Sequence, residues 1–299
     1  HPVSARRLRW LEVSADNRCN NHCVGCYSVS EGGPSMSTRE VAEHLVTARQ
    51  RGATAFWLGG GEPTLRSDAV TVVKMARRLG YERVLLQTNG MLLAYPEVAG
   101  RFADAGVTEV SFAIKGASAK THDALTRTPG CHSAMVKGIS EIARLGLPMA
   151  GDILLYADTV GELPLMVRTY AAMGLARFAV SSLSPAHQRA EDVSARVPRL
   201  SDVAVAVVTA INENADVGVT SLHTPPCVVP ESHWAALFHA ADLQLLIANP
   251  GGQGFMLEDS PLEGGTYLSR CETCRARPRC GGLRQDYLAQ FGDGEFLPR

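Results

Sequence analysis

At 299 residues, 45% of them hydrophobic, the chain is long enough for one large α/β domain with a small appendage and a substantial core. Its 29 basic and 30 acidic side chains leave a formal net charge of -1, which excludes the basic footprint of a nucleic-acid or anionic-membrane binder. No apolar run approaches the roughly 18 residues that a bilayer span needs, and residues 1–7 hold no apolar signal core, so a cytoplasmic protein acting on a small molecule or peptide is expected.

Residues 8–13 alternate well enough to predict a first strand. That strand delivers the chain into Cys19-Asn20-Asn21-His22-Cys23-Val24-Gly25-Cys26-Tyr27, a C-x3-C-x2-C loop. Ser37 with Glu40 three residues on is a capping box, starting a helix that reaches about residue 50. A short buried strand over 54–58 ends in Gly59-Gly60-Gly61-Glu62-Pro63-Thr64-Leu65, a helix runs to residue 79, and a strand over 83–87 leads to Thr88-Asn89-Gly90. Then come a helix over 96–105, a strand over 108–114 closed by Lys115-Gly116, a turn-helix past His122 and a helix opening near Cys131. Strands at 151–155 and 176–181 are joined by a helix through Val167 and Tyr170. Six alternating units of this length predict βαβ connections and a parallel sheet, with ligands at the carboxyl ends of its strands. Residues 186–199 are polar and Pro-punctuated, as in a linker or mobile loop. After an apolar helix over 202–211 the alternation is expected to stop, dividing the chain into domains 1–200 and 201–299.

Three thiolates within eight residues converge on one soft metal centre yet supply only three ligands, so a [4Fe-4S] cube held there keeps one iron open. A structural zinc needs a fourth nearby Cys or His, for which His22 is poorly spaced. Together, the cysteine loop and the Gly60-Gly61-Glu62 motif resemble the radical S-adenosylmethionine (SAM) superfamily. That resemblance implies a partial (β/α)6 TIM-like barrel and a cluster on Cys19, Cys23 and Cys26, whose open iron is chelated by SAM. It also implies reductive cleavage of SAM to a 5'-deoxyadenosyl radical, fed by a donor such as flavodoxin or ferredoxin. Gly60, Gly61 and Glu62 would lie by the SAM amino group, Thr88 and Asn89 would line the same pocket, and Ser111, Lys115 and Asp152 would face the carboxylate and ribose. Two positions depart from the family pattern. Gly25 stands where many members carry an aromatic residue by the adenine, a contact that Tyr27 is expected to take over in part. Lys115 stands where many have Asp, and is either a cation for the SAM carboxylate or a solvated loop lysine.

The eight cysteines group as three at the front, Cys131 and Cys227 alone, and three near the end, a division that suits metal binding better than a disulfide framework. Cys271, Cys274 and Cys280, followed by Gly281-Gly282 and Tyr287, resemble the core of the SPASM and twitch extensions of radical SAM enzymes, which carry auxiliary [4Fe-4S] clusters. No cysteine follows Cys280, so the count supports at most one such cluster. Its fourth ligand is Cys227, held on the stiff Pro225-Pro226 turn, unless an open iron binds substrate directly; a zinc clip is the third option.

Cys131, at a helix start that would lower its pKa, is either a thiol returning a hydrogen atom to a substrate radical, as in radical SAM epimerases, or a small half-buried residue. His187, His223, His233 and His239 lack ligand spacing, and Met135, Met149, Met166 and Met173 fall where core filler belongs. The expected function is hydrogen abstraction leading to oxidation, cross-linking or epimerisation of a peptide or small natural product. The alternatives are an epimerase or dehydrogenase of an aminoglycoside-type sugar alcohol, and a non-enzymatic iron-sulfur or zinc protein. Because only a short stretch precedes the first strand, no leader-binding domain is expected, which weakens the peptide option.

Overall fold

The computed structural model describes residues 7–26, 33–184, 193–252, 254–260 and 265–299. Tyr27, His187 and residues 186–192 of the expected linker lie outside these. The chain forms β1 (Trp10–Ser14), α1 (Thr38–Gln50), β2 (Ala55–Gly59), α2 (Ala69–Arg78), β3 (Arg83–Thr88), α3 (Pro96–Ala105) and β4 (Glu109–Ile114). After these come α4 (Ala119–Thr126), α5 (Cys131–Arg144), β5 (Met149–Leu155), α6 (Leu163–Ala171) and β6 (Arg177–Ser182). The six strands pair in parallel and in sequence order, as the alternation predicts. At the head of α1, the capping box closes with Ser37 Oγ accepting from the Glu40 amide at 3.2 Å and the Glu40 carboxylate accepting from the Ser37 amide at 2.7 Å.

Beyond residue 200 the outcome differs from expectation. Helix α7 (Leu200–Glu213) crosses over to β7 (Gly218–Leu222), which pairs parallel with β6, and β8 (Leu237–Phe238) pairs parallel with β7. After α8 (Ala240–Leu243), β9 (Leu245–Ala248) returns to pair parallel with β1 on the opposite flank, and β10 (Phe255–Met256) runs antiparallel beside it. One ten-stranded sheet therefore spans the expected boundary among the described residues. Strands β8 to β10 hold two to four residues and follow links made of 3-10 turns, the four-residue α8 and a loop, so they lack the long helical periodicity that marks a βα unit.

Side chains alternate across the sheet with period two. Leu11, Val13, Phe56, Leu58, Val84, Leu86, Phe112, Ile114, Ile153 and Leu155 face the helices and form the main core, joined by Met135, Met149 and Met166. Their neighbours on the strands face the concave side. At its base the Arg83 guanidinium lies 4.7 Å over the Trp10 ring and 2.7 Å from Glu109, which also pairs with Arg177.

The C-terminal segment, with the β11 (Gly265–Thr266) and β12 (Leu283–Arg284) ribbon and α9 (Gln285–Phe291), packs on the mouth of the barrel. A second core holds them there: Leu283, Tyr287 and Phe296 join Val24 of the cysteine loop, Leu125, Tyr156 and Leu183. The Tyr287 hydroxyl accepts from the Leu200 amide at 2.8 Å and donates to Glu295 at 2.6 Å.

Candidate active site

Leaving β1, the chain enters the cysteine loop and is gripped from three sides. From the glycine loop after β2, the Gly61 amide donates to the Asp16 carbonyl at 2.8 Å and the Glu62 amide to the Arg18 carbonyl at 2.7 Å. A Cβ on Gly61 would stand 2.1 Å from that Arg18 carbonyl oxygen, so glycine is required here by the approach of two loops, before any ligand is considered. From the end of α4, the Thr126 and Leu125 carbonyls accept from the His22 and Val24 amides at 3.0 and 2.9 Å. From the end of β5, the Tyr156 hydroxyl donates to the Val24 carbonyl at 3.0 Å. Gly25 has φ +69° and a Cβ there would meet Leu183 at 2.8 Å, which explains why no aromatic residue precedes the third cysteine.

Cys19 and Cys23 are half-buried and Cys26 is exposed. Burial pushes the Cys19 thiol up to about 12 and Cys23 up to about 11. Such thiols become ligands only when a cation displaces their protons.

Glu62 is 2% exposed and accepts from the Thr64 amide at 3.1 Å, the Thr64 hydroxyl, the Thr88 hydroxyl at 2.7 Å and the Asn89 amide at 2.8 Å. Burial nevertheless holds its pKa above the usual carboxylate value. Four donors saturate a carboxylate, so Glu62 shapes the loop. Thr88 and Asn89 serve the same purpose: the Asn89 amide nitrogen donates to Asn20 Oδ1 at 2.7 Å and lies 3.8 Å from Cys19 Sγ.

Below the loop, Lys115 follows β4 and is half-buried. Burial works against its charge, but Tyr156, Cys23, Cys26 and Asp152 around it raise its pKa. Its half-buried place among these groups differs from that of a lysine held wholly in solvent. Asp152, on β5, accepts from Gln87 Nε2 across the intervening β4, and burial raises its pKa. Ser111 is buried on β4, in register with Gln87. Gln87, Glu12 and Trp57 belong to this concave wall and were not expected from the motifs. Their signal was parity, since each is a polar or amphipathic residue at an alternate position of a strand whose other face is apolar.

Cys131 is fully buried behind the loop, where its sulfur receives the Asn21 side-chain amide at 3.2 Å and lies 3.7 Å from His122 Nε2. Burial raises its pKa, overturning the lowering expected from its place at a helix start. Burial likewise pushes His122 down to about 3; this neutral ring accepts the Lys115 amide at Nδ1, 3.3 Å away.

Cys227, Cys271, Cys274 and Cys280, from two separate segments, line one small pocket of about 20 Å³ together with Tyr267 and Arg277. The Gly282 amide donates to Cys280 Sγ and the Arg299 amide to Cys274 Sγ, both at 3.4 Å. The Arg299 guanidinium Nε donates to the Cys227 carbonyl at 3.1 Å, tying the two segments together. Among the described residues, no three Cys, His, Asp or Glu side chains stand close enough to share a single metal ion.

The profile of the radical SAM superfamily matches residues 13–180, from β1 into β6. The chain belongs to the radical SAM superfamily. Members of this superfamily are SAM-dependent enzymes with a [4Fe-4S] cluster, which sets aside the non-enzymatic alternative. The three-thiol donor set at the barrel mouth fits that cluster. The radical SAM chain is 32% identical over 169 residues to a probable GTP 3',8-cyclase of Methanopyrus kandleri, covering 56% of this chain and 54% of that protein. It is 32% identical over 149 residues to the AdoMet-dependent heme synthase of Methanosarcina barkeri, covering 49% and 42%. The chain thus spans about half the length of the curated relatives it matches. In three dimensions it is similar to Streptococcus suis SuiB bound to its precursor peptide SuiA, with a TM-score of 0.72 and 14% identity over 98% of this chain and 75% of that one. A second similar structure is anSMEcpe with bound AdoMet and a Cp18Cys peptide, with a TM-score of 0.67 and 12% identity over 98% and 92%. No helix among the described residues is long and apolar enough to cross a membrane.

Proposed function

We propose that this radical SAM enzyme carries two [4Fe-4S] clusters, one on Cys19, Cys23 and Cys26 and one on Cys227, Cys271, Cys274 and Cys280, and that it oxidises an unactivated carbon of a small-molecule or peptide substrate. The observation that carries this reading is the cavity ringed by four thiols from two segments. Four cysteines lining one pocket suit the closed coordination by four thiolates that is usual for such a cube. When bound, the front cluster and SAM supply a 5'-deoxyadenosyl radical for hydrogen abstraction, and the second cluster supplies a sink for the substrate's electron.

The protein's own residues divide the remaining work. With Glu62 saturated, the backbone of Gly60 and Gly61 is left to meet the SAM amino group, and Lys115 places a cation for its carboxylate. Asn89, beside Cys19 Sγ, orients a cluster ligand. Ser111 and Asp152 offer polar contacts to the ribose or the substrate. The burial of Cys131 favours oxidation over return of a hydrogen atom from its thiol. Eight free cysteines suit a reducing, cytoplasmic setting with a flavodoxin or ferredoxin as donor.

The test is iron, sulfide and 5'-deoxyadenosine after anaerobic reconstitution. The wild type is expected to hold about eight irons, and Cys19/Cys23/Cys26→Ala about four with no 5'-deoxyadenosine formed from SAM and dithionite. About four irons in the wild type, falling to none in the variant, would defeat the second cluster.

A further inference from the structure

The concave wall beneath the cysteine loop carries a continuous polar band. Period-two alternation sends Glu12 and Ser14 of β1, Trp57 of β2, Gln87 of β3 and Asp152 of β5 to the same side, away from the helix-facing core. Contacts confirm the shared face. Trp57 Nε1 donates to Gln87 Oε1 at 3.2 Å, and Gln87 reaches over β4 to Asp152. The missing Cβ of Gly59 would lie 3.2 to 3.4 Å from Trp57 Nε1, Gln87 Oε1 and Glu12 Oε1, so these three groups surround one point.

Charge along this band is unbalanced. Asp152 has the amide of Gln87 and the nearby cation of Lys115, which also faces Cys23 and Cys26. The hydrogen bond to Glu12 comes from Ser14 Oγ at 3.2 Å, a neutral donor, and no salt bridge joins Glu12 to a cation among the described residues. An ionised carboxylate has about four acceptor sites, so one neutral donor leaves most of that capacity unused. Burial, with Asp152 nearby, pushes Glu12 up to about 7. A cation placed against Glu12 supplies the charge-assisted bond that the protein withholds, whereas a polyanion would meet two carboxylates.

We propose that Glu12 is a specificity-determining residue that fixes a protonated amine of the substrate inside the barrel, and that this wall disfavours nucleoside triphosphates. The selection rests on the substrate site being this barrel interior, as the proposed SAM chemistry requires. An amine of this kind comes from an aminocyclitol or from a lysine side chain, and the two sources are separable.

Binding is measured by anaerobic calorimetry on iron-loaded protein with SAM and no reductant, so no turnover enters. The probes are 2-deoxystreptamine and acetyl-Gly-Lys-Gly amide, their uncharged partners N,N'-diacetyl-2-deoxystreptamine and acetyl-Gly-norleucyl-Gly amide, and ATP. One amine is expected to bind at least about tenfold tighter than its uncharged partner, consistent with one charge-assisted hydrogen bond, and which one binds identifies the source. Glu12→Gln should shrink that gap to about twofold or less and Glu12→Asp should keep most of it, which separates lost charge from lost folding. Failure of both amines to bind, an unchanged gap in Glu12→Gln, or ATP binding in competition with the amine overturns the proposal. Absence of 5'-deoxyadenosine in a separate assay with dithionite would sink the SAM chemistry instead, leaving the binding result to be read by itself.

Discussion

Glu12 shows how a single side chain links stability to chemistry. Its pKa is about 7 in the folded chain against an ordinary 4.5. Below pH 4.5 both the folded and unfolded forms are protonated and no difference arises. Between pH 4.5 and 7 the unfolded chain gives up the proton first, so folding stability falls as pH rises, and above pH 7 the full penalty of a buried charge is present. Gln mimics the protonated acid. Glu12→Gln in the ligand-free chain is therefore expected to match the wild type near pH 4 and to be more stable at pH 8, by on the order of 1–3 kcal/mol. Denaturant unfolding at the two pH values checks this, and an equal difference at both would show that Glu12 is not perturbed. The cysteines and the Gly60-Gly61-Glu62 run were legible from sequence because their chemistry is written in spacing. Glu12 was not, since a lone acid in a strand gains its meaning only when the opposite wall is in place. The surroundings of Lys115 were hidden for the same reason: Cys23 and Asp152, far apart in the chain, meet around it.

At the level of elements, β1 to β6 were readable because each strand is followed by a helix long enough to show its period, whereas β8, β9 and β10 hold two to four residues with no long helix between them. The glycine loop after β2 serves as a bearing for the cysteine loop. Gly61→Ala should drive the two loops apart, because its Cβ would fall 2.1 Å from the Arg18 carbonyl. The expected result is loss of most front-cluster iron and a stability loss of roughly 2–4 kcal/mol, in the range of overpacked sites. Gly100→Ala is the control. That glycine lies inside α3 with nothing within 4 Å of an added Cβ, so iron content should be unchanged and stability should rise by about 0.5–1 kcal/mol. Equal iron content in the two variants would refute the bearing role.

Across the whole molecule, the sheet runs past the expected division at residue 200, and later residues complete both of its flanks. The second core adds a further coupling that no local motif announces, with Val24 of the cysteine loop and Tyr287 of α9 in one apolar cluster. Tyr287→Ala should cost about 3–5 kcal/mol, as for other large aromatic deletions. It should also loosen iron at Cys19, Cys23 and Cys26, although it lies more than 250 residues from them in sequence. Iron per chain after gel filtration, compared between wild type and variant, decides the point; full retention at the front site would argue for independent units. The shared core has one more consequence. With the cysteine loop and the C-terminal thiol segment resting on the same few side chains, the gap between the two sulfur sites is set by packing and not by a tether. The core is thus a spacer of fixed length, and a substrate long enough to bridge from one sulfur site to the other is measured by it.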